Sequence, residues 1–317
     1  MTHTTLVYAS DLHGSEGFFR KFVSAAVTYK AQVGIVGGDV TGKAITPIIH
    51  RGQENYEGFL FGSRETANGA KELEALKTRM SNVGFYPLVL EPDEAQALES
   101  DPAKLNMTFM SLMKERLNQW FELAEKHWKP KGIRFFFMAG NDDPFDIDEA
   151  INASGFVQNP DARRYMLDDY HELVGLASAN MTPWQCPRDV ADEALLAQLE
   201  KAMALVDSPA QAVCVFHAPP YDSQLDLAPA LDKNLKIEAT GGQVMMRPVG
   251  SPAVRAIIEK YQPLLTLHGH IHESPGFRRM GRTLMVNAGS EYAEGIMRAA
   301  LINVEKDKVK GYMPLSA

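Results

Sequence analysis

Short apolar runs recur along this chain, each closing on a turn or a polar residue, and several are separated by stretches with helical periodicity. Residues 4–10 (TTLVYAS) run into DLHG, and 16–30 carry apolar positions at helical steps. Residues 31–39 (AQVGIVGGD) predict a second strand that closes on a glycine turn and an aspartate. The design repeats at 132–143 (GIRFFFMAGNDD), 211–220 (QAVCVFHAPP), 261–272 (YQPLLTLHGHIH) and 283–290 (TLMVNAGS). Ser251 and Pro252 offer a cap and a first-turn proline for a helix ahead of the fifth run. Strands alternating with helices predict a layered α/β domain. In open α/β sheets ligands gather beyond the C-terminal ends of the strands, and here the six predicted strands end in polar or ligand-bearing residues.

The interval between Asp39 and Asn141 has a different texture. Residues 65–82 and 102–128 read as amphipathic helices. In the second, Leu105, Phe109, Leu112, Leu117, Trp120, Phe121, Ala124 and Trp128 recur at three- and four-residue steps, and Asp101-Pro102 is a suitable start. The expectation is a single domain over 1–317 with a mainly helical insertion at 44–130. The apolar stripe reads as packing, with a cap over a site or a homo-oligomer surface as the alternatives. Residues 222–250, with Gly241-Gly242 inside, read as an extended loop region able to border a site.

Composition narrows the classes. The chain has 317 residues, 45% hydrophobic and 23% charged, the mix of an ordinary globular domain. A formal net charge of −8 argues against nucleic acid or an anionic membrane as a general partner, because those need clustered cations. The two cysteines, Cys186 and Cys214, form no CxxC pair and suit a reducing compartment. Residues 1–14 lack the pattern of a secretory signal and no long apolar run suggests a membrane span, so a cytoplasmic location is expected.

The candidate chemistry begins at 264–276 (LLTLHGHIHESPG), where His268, His270 and His272 stand two apart. In extended chain such residues share a face. Collected with the other strand ends, the candidate set is Asp11, His13, Asp39, Asn141, His217, His270 and His272. Mixed imidazole and oxygen donors suit Mn²⁺, Fe²⁺, Zn²⁺ or Ni²⁺ better than Ca²⁺. Seven donors are too many for one such ion and are right for two ions sharing a carboxylate.

In these motifs the sequence resembles the calcineurin-like metallophosphoesterases. Their pattern of D-x-H, G-D, G-N-x-(D/E), H and G-H-x-H is met in order by DLH (11–13), GGD (37–39), GNDD (140–143), FHAPP (216–220) and GHIH (269–272), with the nearest likeness to the small, cyclic-nucleotide-phosphodiesterase-like branch. The resemblance implies a four-layer α/β/β/α sandwich of two mixed sheets. It implies that Asp11, His13 and His272 hold one divalent ion, that Asn141, His217 and His270 hold a second, and that Asp39 bridges them. Asp39, Asn141 and His217 count as catalytic residues on the same ground. The implied activity is hydrolysis of a small phosphate ester, a diester rather than a monoester. Two ions about 3.5–4 Å apart clamp both oxygens of an in-line displacement, and a bridging water, losing its proton far more readily than bulk water with its pKa of about 15.7, attacks phosphorus. No protein nucleophile is then needed.

The sequence departs from the family at Asp142, where many relatives carry a histidine that stabilises the transition state or protonates the leaving group. A carboxylate beside a phosphate is unfavourable unless it is turned away or offset, so Asp142 is a residue near substrate without an assigned acid role. Lys43, just after the bridging aspartate, is a candidate phosphate contact, against the simpler reading of a solvated loop lysine. Asn180 and Trp184 are weaker pocket candidates, and Arg247 weaker again. His268 has no place in the motifs and reads as structural, with a substrate contact as the alternative. Asp143 reads as orienting its neighbours by hydrogen bonding. Two rival functions are a catalytically silent scaffold that binds a protein, favoured only by the insertion, and a nuclease, disfavoured by the acidic charge.

Overall fold

The computed structural model describes residues 3–317. Two six-stranded mixed sheets carry the fold. In the first, the strands run in the order Lys308–Ser316, Arg298–Glu305, Thr4–Ala9, Val33–Gly37, Arg134–Met138 and Val157–Gln158. Thr4–Ala9 pairs in parallel with Val33–Gly37 and antiparallel with Arg298–Glu305. In the second, the order is Gly276–Met280, Thr283–Asn287, Leu265–His268, Val213–Phe216, Glu172–Leu176 and Arg164–Met166. Its four central strands run parallel and its two outer strands antiparallel to their neighbours.

Strand periodicity builds the layers. Val213 and Val215 enter the central core with Leu265, Leu267, Leu284 and Val286, whereas Cys214 and Phe216 face the opposite side, packing with Leu195, Leu199, Val254 and Ile257 of helices Asp192–Met203 and Pro252–Tyr261. In the other sheet Phe135 and Phe137 meet Phe19, Trp128 and Phe121 of helices Glu16–Thr28 and Pro102–Trp128, and Phe136 between them meets Tyr165 of the second sheet. Helices, sheet, sheet, helices: the result is the expected four-layer α/β/β/α sandwich. The run of fully buried residues in each central strand follows from apolar contacts on both faces.

Local signals placed the helices. The Ser251 hydroxyl accepts from Val254 N ahead of a helix with Pro252 at its first turn. The Asp101 carboxylate accepts from Ala103 N and Lys104 N at the start of Pro102–Trp128. The C-terminal part of the stripe on that helix packs against Glu16–Thr28, with Trp120 stacked on Phe19 at 4.5 Å and the Trp128 indole N–H donating to Val23 O, whereas Phe109 meets Tyr86 and Leu105 is exposed.

The interval 44–130 is mainly helical, as expected, but it also holds strands that the sequence did not announce. Besides helices Gly69–Asn82, Pro92–Glu99 and Pro102–Trp128 it contains a four-stranded sheet in the order Ser63–Asn68, Asn55–Leu60, Ile45–His50 and Tyr86–Leu90. Ser63–Asn68 pairs with Asn55–Leu60, so the helix expected from 65 starts at Gly69. The sheet buries few side chains, chiefly Ile48 and Ala67 against Leu76 and Met80 of Gly69–Asn82, so its strands show little apolar alternation to read. Residues 222–250 form an excursion with two short antiparallel ladders. Among the described residues no helix is long and apolar enough to cross a membrane.

Candidate metal centre

All seven candidate donors sit at or just beyond C-terminal strand ends of the two facing sheets. Asp11 and His13 follow Thr4–Ala9, Asp39 follows Val33–Gly37, Asn141 follows Arg134–Met138, His217 follows Val213–Phe216, and His270 and His272 follow Leu265–His268. Six of the seven, together with Asp142, fall into groups whose donor atoms lie within 4.8 Å of one another: Asp11, His13 and His272; Asp39, His217 and His270; and His13, Asp39 and Asp142. Asp39 thus stands between the first two histidine clusters, its Oδ2 3.9 Å from His13 Nε2 and its Oδ1 3.3 Å from His217 Nε2. His13 Nε2 and His272 Nε2 converge to 3.2 Å, and His272 Nε2 lies 3.5 Å from Asp11 Oδ1.

The backbone is bent to achieve this. Asp11, His13, Asp39 and His270 all have positive φ, at 59°, 42°, 48° and 67°. Each such non-glycine conformation costs of order 1–3 kcal/mol and persists where the surroundings impose it. Two motif glycines are explained by close approach. A Cβ on Gly140 would stand 2.2 Å from Asp39 Oδ1, and one on Gly269 2.3 Å from Asp11 Oδ2, so neither position tolerates a side chain.

The buried polar atoms test whether these residues fit divalent ions. Six buried side-chain N or O atoms among the described residues have no hydrogen-bond partner, and four are Asp11 Oδ2, His13 Nδ1, Asn141 Oδ1 and His217 Nε2. Orphan buried acceptors are rare, and a cluster of them on ligand-type residues fits metal coordination. Other atoms of the site are spoken for by the backbone. His217 Nδ1 lies 2.9 Å from Gly37 O, which fixes a proton there and turns Nε2 toward Asp39. Asp11 Oδ1 accepts from His270 N, and Asp39 Oδ1 accepts from Asp142 N.

Electrostatics agree. Burial pushes His13 down to about 3 and His270 to about 4, keeping both neutral and able to bind a cation. For His217 burial works the same way, but the carboxylates of Asp39 and Asp11 outweigh it and raise the ring to about 9, and Asp11 likewise raises His272, so these two rings hold protons that a bound cation would displace. Burial also opposes ionisation of Asp39, yet the surrounding imidazoles, His217 foremost, hold its carboxyl well below the usual range.

The other candidates divide. His268, read as sharing a face with His270 and His272, does not: its strand ends at His268, and the positive φ of His270 breaks the alternation. Its Nδ1 lies 2.8 Å from Phe216 O and 3.0 Å from Ala218 O, and its Nε2 accepts from the Thr266 hydroxyl, so both nitrogens of the fully buried ring are engaged within the fold. Lys43, half-exposed, pairs with Asp142, which also lies 3.8 Å from His13 Nδ1. Asn180 donates to Val249 O and to none of the seven. Trp184 is 66% exposed. Asp143, fully buried, accepts from Val40 N, Thr41 N, the Thr41 hydroxyl and Gly140 N, tying the Asp39 turn to the Asn141 turn.

Two neighbours of the centre had no signal in the sequence. Tyr292 packs its ring 4.5 Å from that of His13, and with His272 and Glu273 it lines a cleft of about 470 Å³. Asp189, in a two-residue strand far along the chain from Asn141, accepts the Asn141 side-chain N–H at 2.7 Å.

No family model matches the sequence. An uncharacterized protein of Methanocaldococcus jannaschii, MJ1162, is 29% identical over 150 residues, 47% of this chain; the match spans 60% of that relative's length. Among solved structures, TT1561 of Thermus thermophilus covers 98% of both chains at 13% identity with a TM-score of 0.53, and a second structure covers 98% of both at 15% identity with the same score. These likenesses concern the fold alone. The chain shares its fold with these structures, and its five ordered motifs lie at the strand ends of two facing mixed sheets, the arrangement that the resemblance to the calcineurin-like metallophosphoesterases implies.

Proposed function

We propose that the protein is a dinuclear metal-dependent phosphoesterase that hydrolyses small phosphodiesters. The observation that carries this reading is the pair of donor groups flanking Asp39, with unpartnered Asp11 Oδ2, His13 Nδ1, Asn141 Oδ1 and His217 Nε2 buried among them. Asp11, His13 and His272 would hold one ion, Asn141, His217 and His270 the other, and Asp39 would reach both. Bound divalent ions supply an activated water and neutralise charge developing on the phosphate. Mn²⁺, Fe²⁺, Zn²⁺ and Ni²⁺ all suit this donor set.

The chain's own residues set the substrate. Asp142 stands where a histidine would help the leaving group depart, and its charge is offset by Lys43. An entering phosphate therefore meets a nearly neutral pair instead of a cationic one. That favours a diester, with one negative charge, over a monoester with two. Lys43 keeps free N–H donors for a non-bridging oxygen. With no imidazole at 142 to protonate the leaving group, esters of acidic alcohols react fastest.

The test is hydrolysis of bis-p-nitrophenyl phosphate and p-nitrophenyl phosphate, side by side, by chelator-treated protein with and without added Mn²⁺. Faster diester turnover that needs the metal is expected. Metal-independent turnover, or none in protein shown to bind two ions, would refute the assignment.

A further inference from the structure

Asn141 is the weakest-specified member of the donor set. An amide has one oxygen and one nitrogen of nearly equal shape, and only the oxygen can hold a cation. Something must select the orientation. Asp189 does so: its Oδ1 accepts the Asn141 Nδ2–H at 2.7 Å, and Asn141 Oδ1 is left buried without a partner. The Asn141 backbone is held by the same segment, its carbonyl accepting from Arg188 N at 2.9 Å.

Asp189 itself cannot turn. Its other oxygen, Oδ2, accepts from Thr182 N at 3.0 Å, Cys186 N at 2.9 Å and the Thr182 hydroxyl. The carboxylate is the hub of the 182–189 turn and has no donor of its own, so it can receive only the N–H face of Asn141. Arg188 adds a second anchor, pairing with Asp148 at 2.7 Å and donating from Nε to Asp143 O.

We infer that Asp189 is a positioning residue that fixes the Asn141 amide with its oxygen toward the second ion, and so sets that ion's affinity. The inference rests on the two-ion reading above. It yields a specific consequence for Asp189→Asn. The single amide oxygen of the variant stays with the three donors of the 182–186 turn, and its NH₂ then faces the Asn141 NH₂. Two donors cannot bond, so Asn141 turns over and presents nitrogen to the ion. Exchanging the pair, with Asn141→Asp added to Asp189→Asn, reverses the polarity of the hydrogen bond and returns a carboxylate oxygen to the ion at unchanged total charge.

The experiment is calorimetric titration of Mn²⁺ into chelator-treated wild type, Asp189→Asn, Asn141→Asp/Asp189→Asn and Thr182→Val. Two ions are expected on the wild type. Asp189→Asn should keep the first and bind the second about 10–100-fold more weakly, the usual effect of losing a partner that orients a ligand. The exchanged pair should recover two-ion binding, and Thr182→Val, which disturbs the same turn without touching Asn141, should retain it. Wild-type affinity in Asp189→Asn, no recovery in the exchanged pair, or equal loss in Thr182→Val would overturn the inference while leaving the two-ion reading intact. Fewer than two ions on the wild type would overturn that reading, and the inference with it.

Discussion

Removing the Asp143 carboxylate should destabilise the whole chain, although Asp143 is not among the seven candidate donors. The residue is 0% exposed and joins the turn bearing Asp39 to the turn bearing Asn141. Its oxygens receive Val40 N at 3.0 Å, Thr41 N at 2.9 Å, the Thr41 hydroxyl at 2.6 Å and Gly140 N at 2.7 Å. Asp143→Ala strips the acceptor from three peptide N–H groups and one hydroxyl at once. Each buried donor left without a partner costs about 1–3 kcal/mol. The hydroxyl can rotate to another acceptor, and a water entering the vacated space satisfies one or two amides. The net loss should then be about 3–5 kcal/mol, a large share of the ~5–15 kcal/mol typical of a folded domain. Asp143→Asn keeps one oxygen but turns an NH₂ toward an N–H, and should lose about half as much. Urea unfolding of chelator-treated protein measures both, since the midpoint shifts while the slope stays constant if only stability changes. A loss below about 1 kcal/mol in Asp143→Ala would show that the two turns are held by other contacts.

Asp39→Ala should abolish binding of both ions, not one, because Asp39 lies within reach of both clusters; metal content after dialysis against Mn²⁺ reads this, and one retained ion would remove Asp39 from the shared position. Gly34→Ala should cost about 1–3 kcal/mol, because the new methyl would stand 2.3 Å from the Trp128 indole, and Trp128→Phe should relieve part of that cost in the double variant, as a thermodynamic cycle would register. His268 is held neutral by burial, down at about 4, whereas an unfolded histidine titrates near ~6.5. The unfolded chain therefore binds a proton there first as pH falls, so the stability His268 contributes is complete above pH ~6.5 and is lost between ~6.5 and 4. Thermal melts of His268→Gln in the presence of chelator should show a shallower acid slope than wild type, and an equal slope would place the titration elsewhere.

How much of this was legible follows from the range of each interaction. Strand ends, helix caps and donor types are local. Ser251 with Pro252 and Asp101 with Pro102 mark helix starts through caps within their own turns, and the buried strands showed themselves as unbroken apolar runs because both faces are covered. The donor residues were legible because each motif packs its ligands into a few consecutive positions, in three of the five directly after a glycine. What stayed hidden was decided across the fold. The sheet within 44–130 is built from short, largely solvated strands, whose pairing depends on neighbours and leaves little apolar pattern. The three histidines at 268, 270 and 272 look equivalent in extended chain, and only the left-handed turn at His270 sends the last two to the centre while His268 turns to backbone carbonyls. Asp189 is ordinary in sequence, since nothing local marks a carboxylate whose partner lies 48 positions away. The chain by itself determined which donors exist and that they stand at strand ends; the packing of two sheets decided which atoms of those donors are free, because an orientation is set by the partner on the other side.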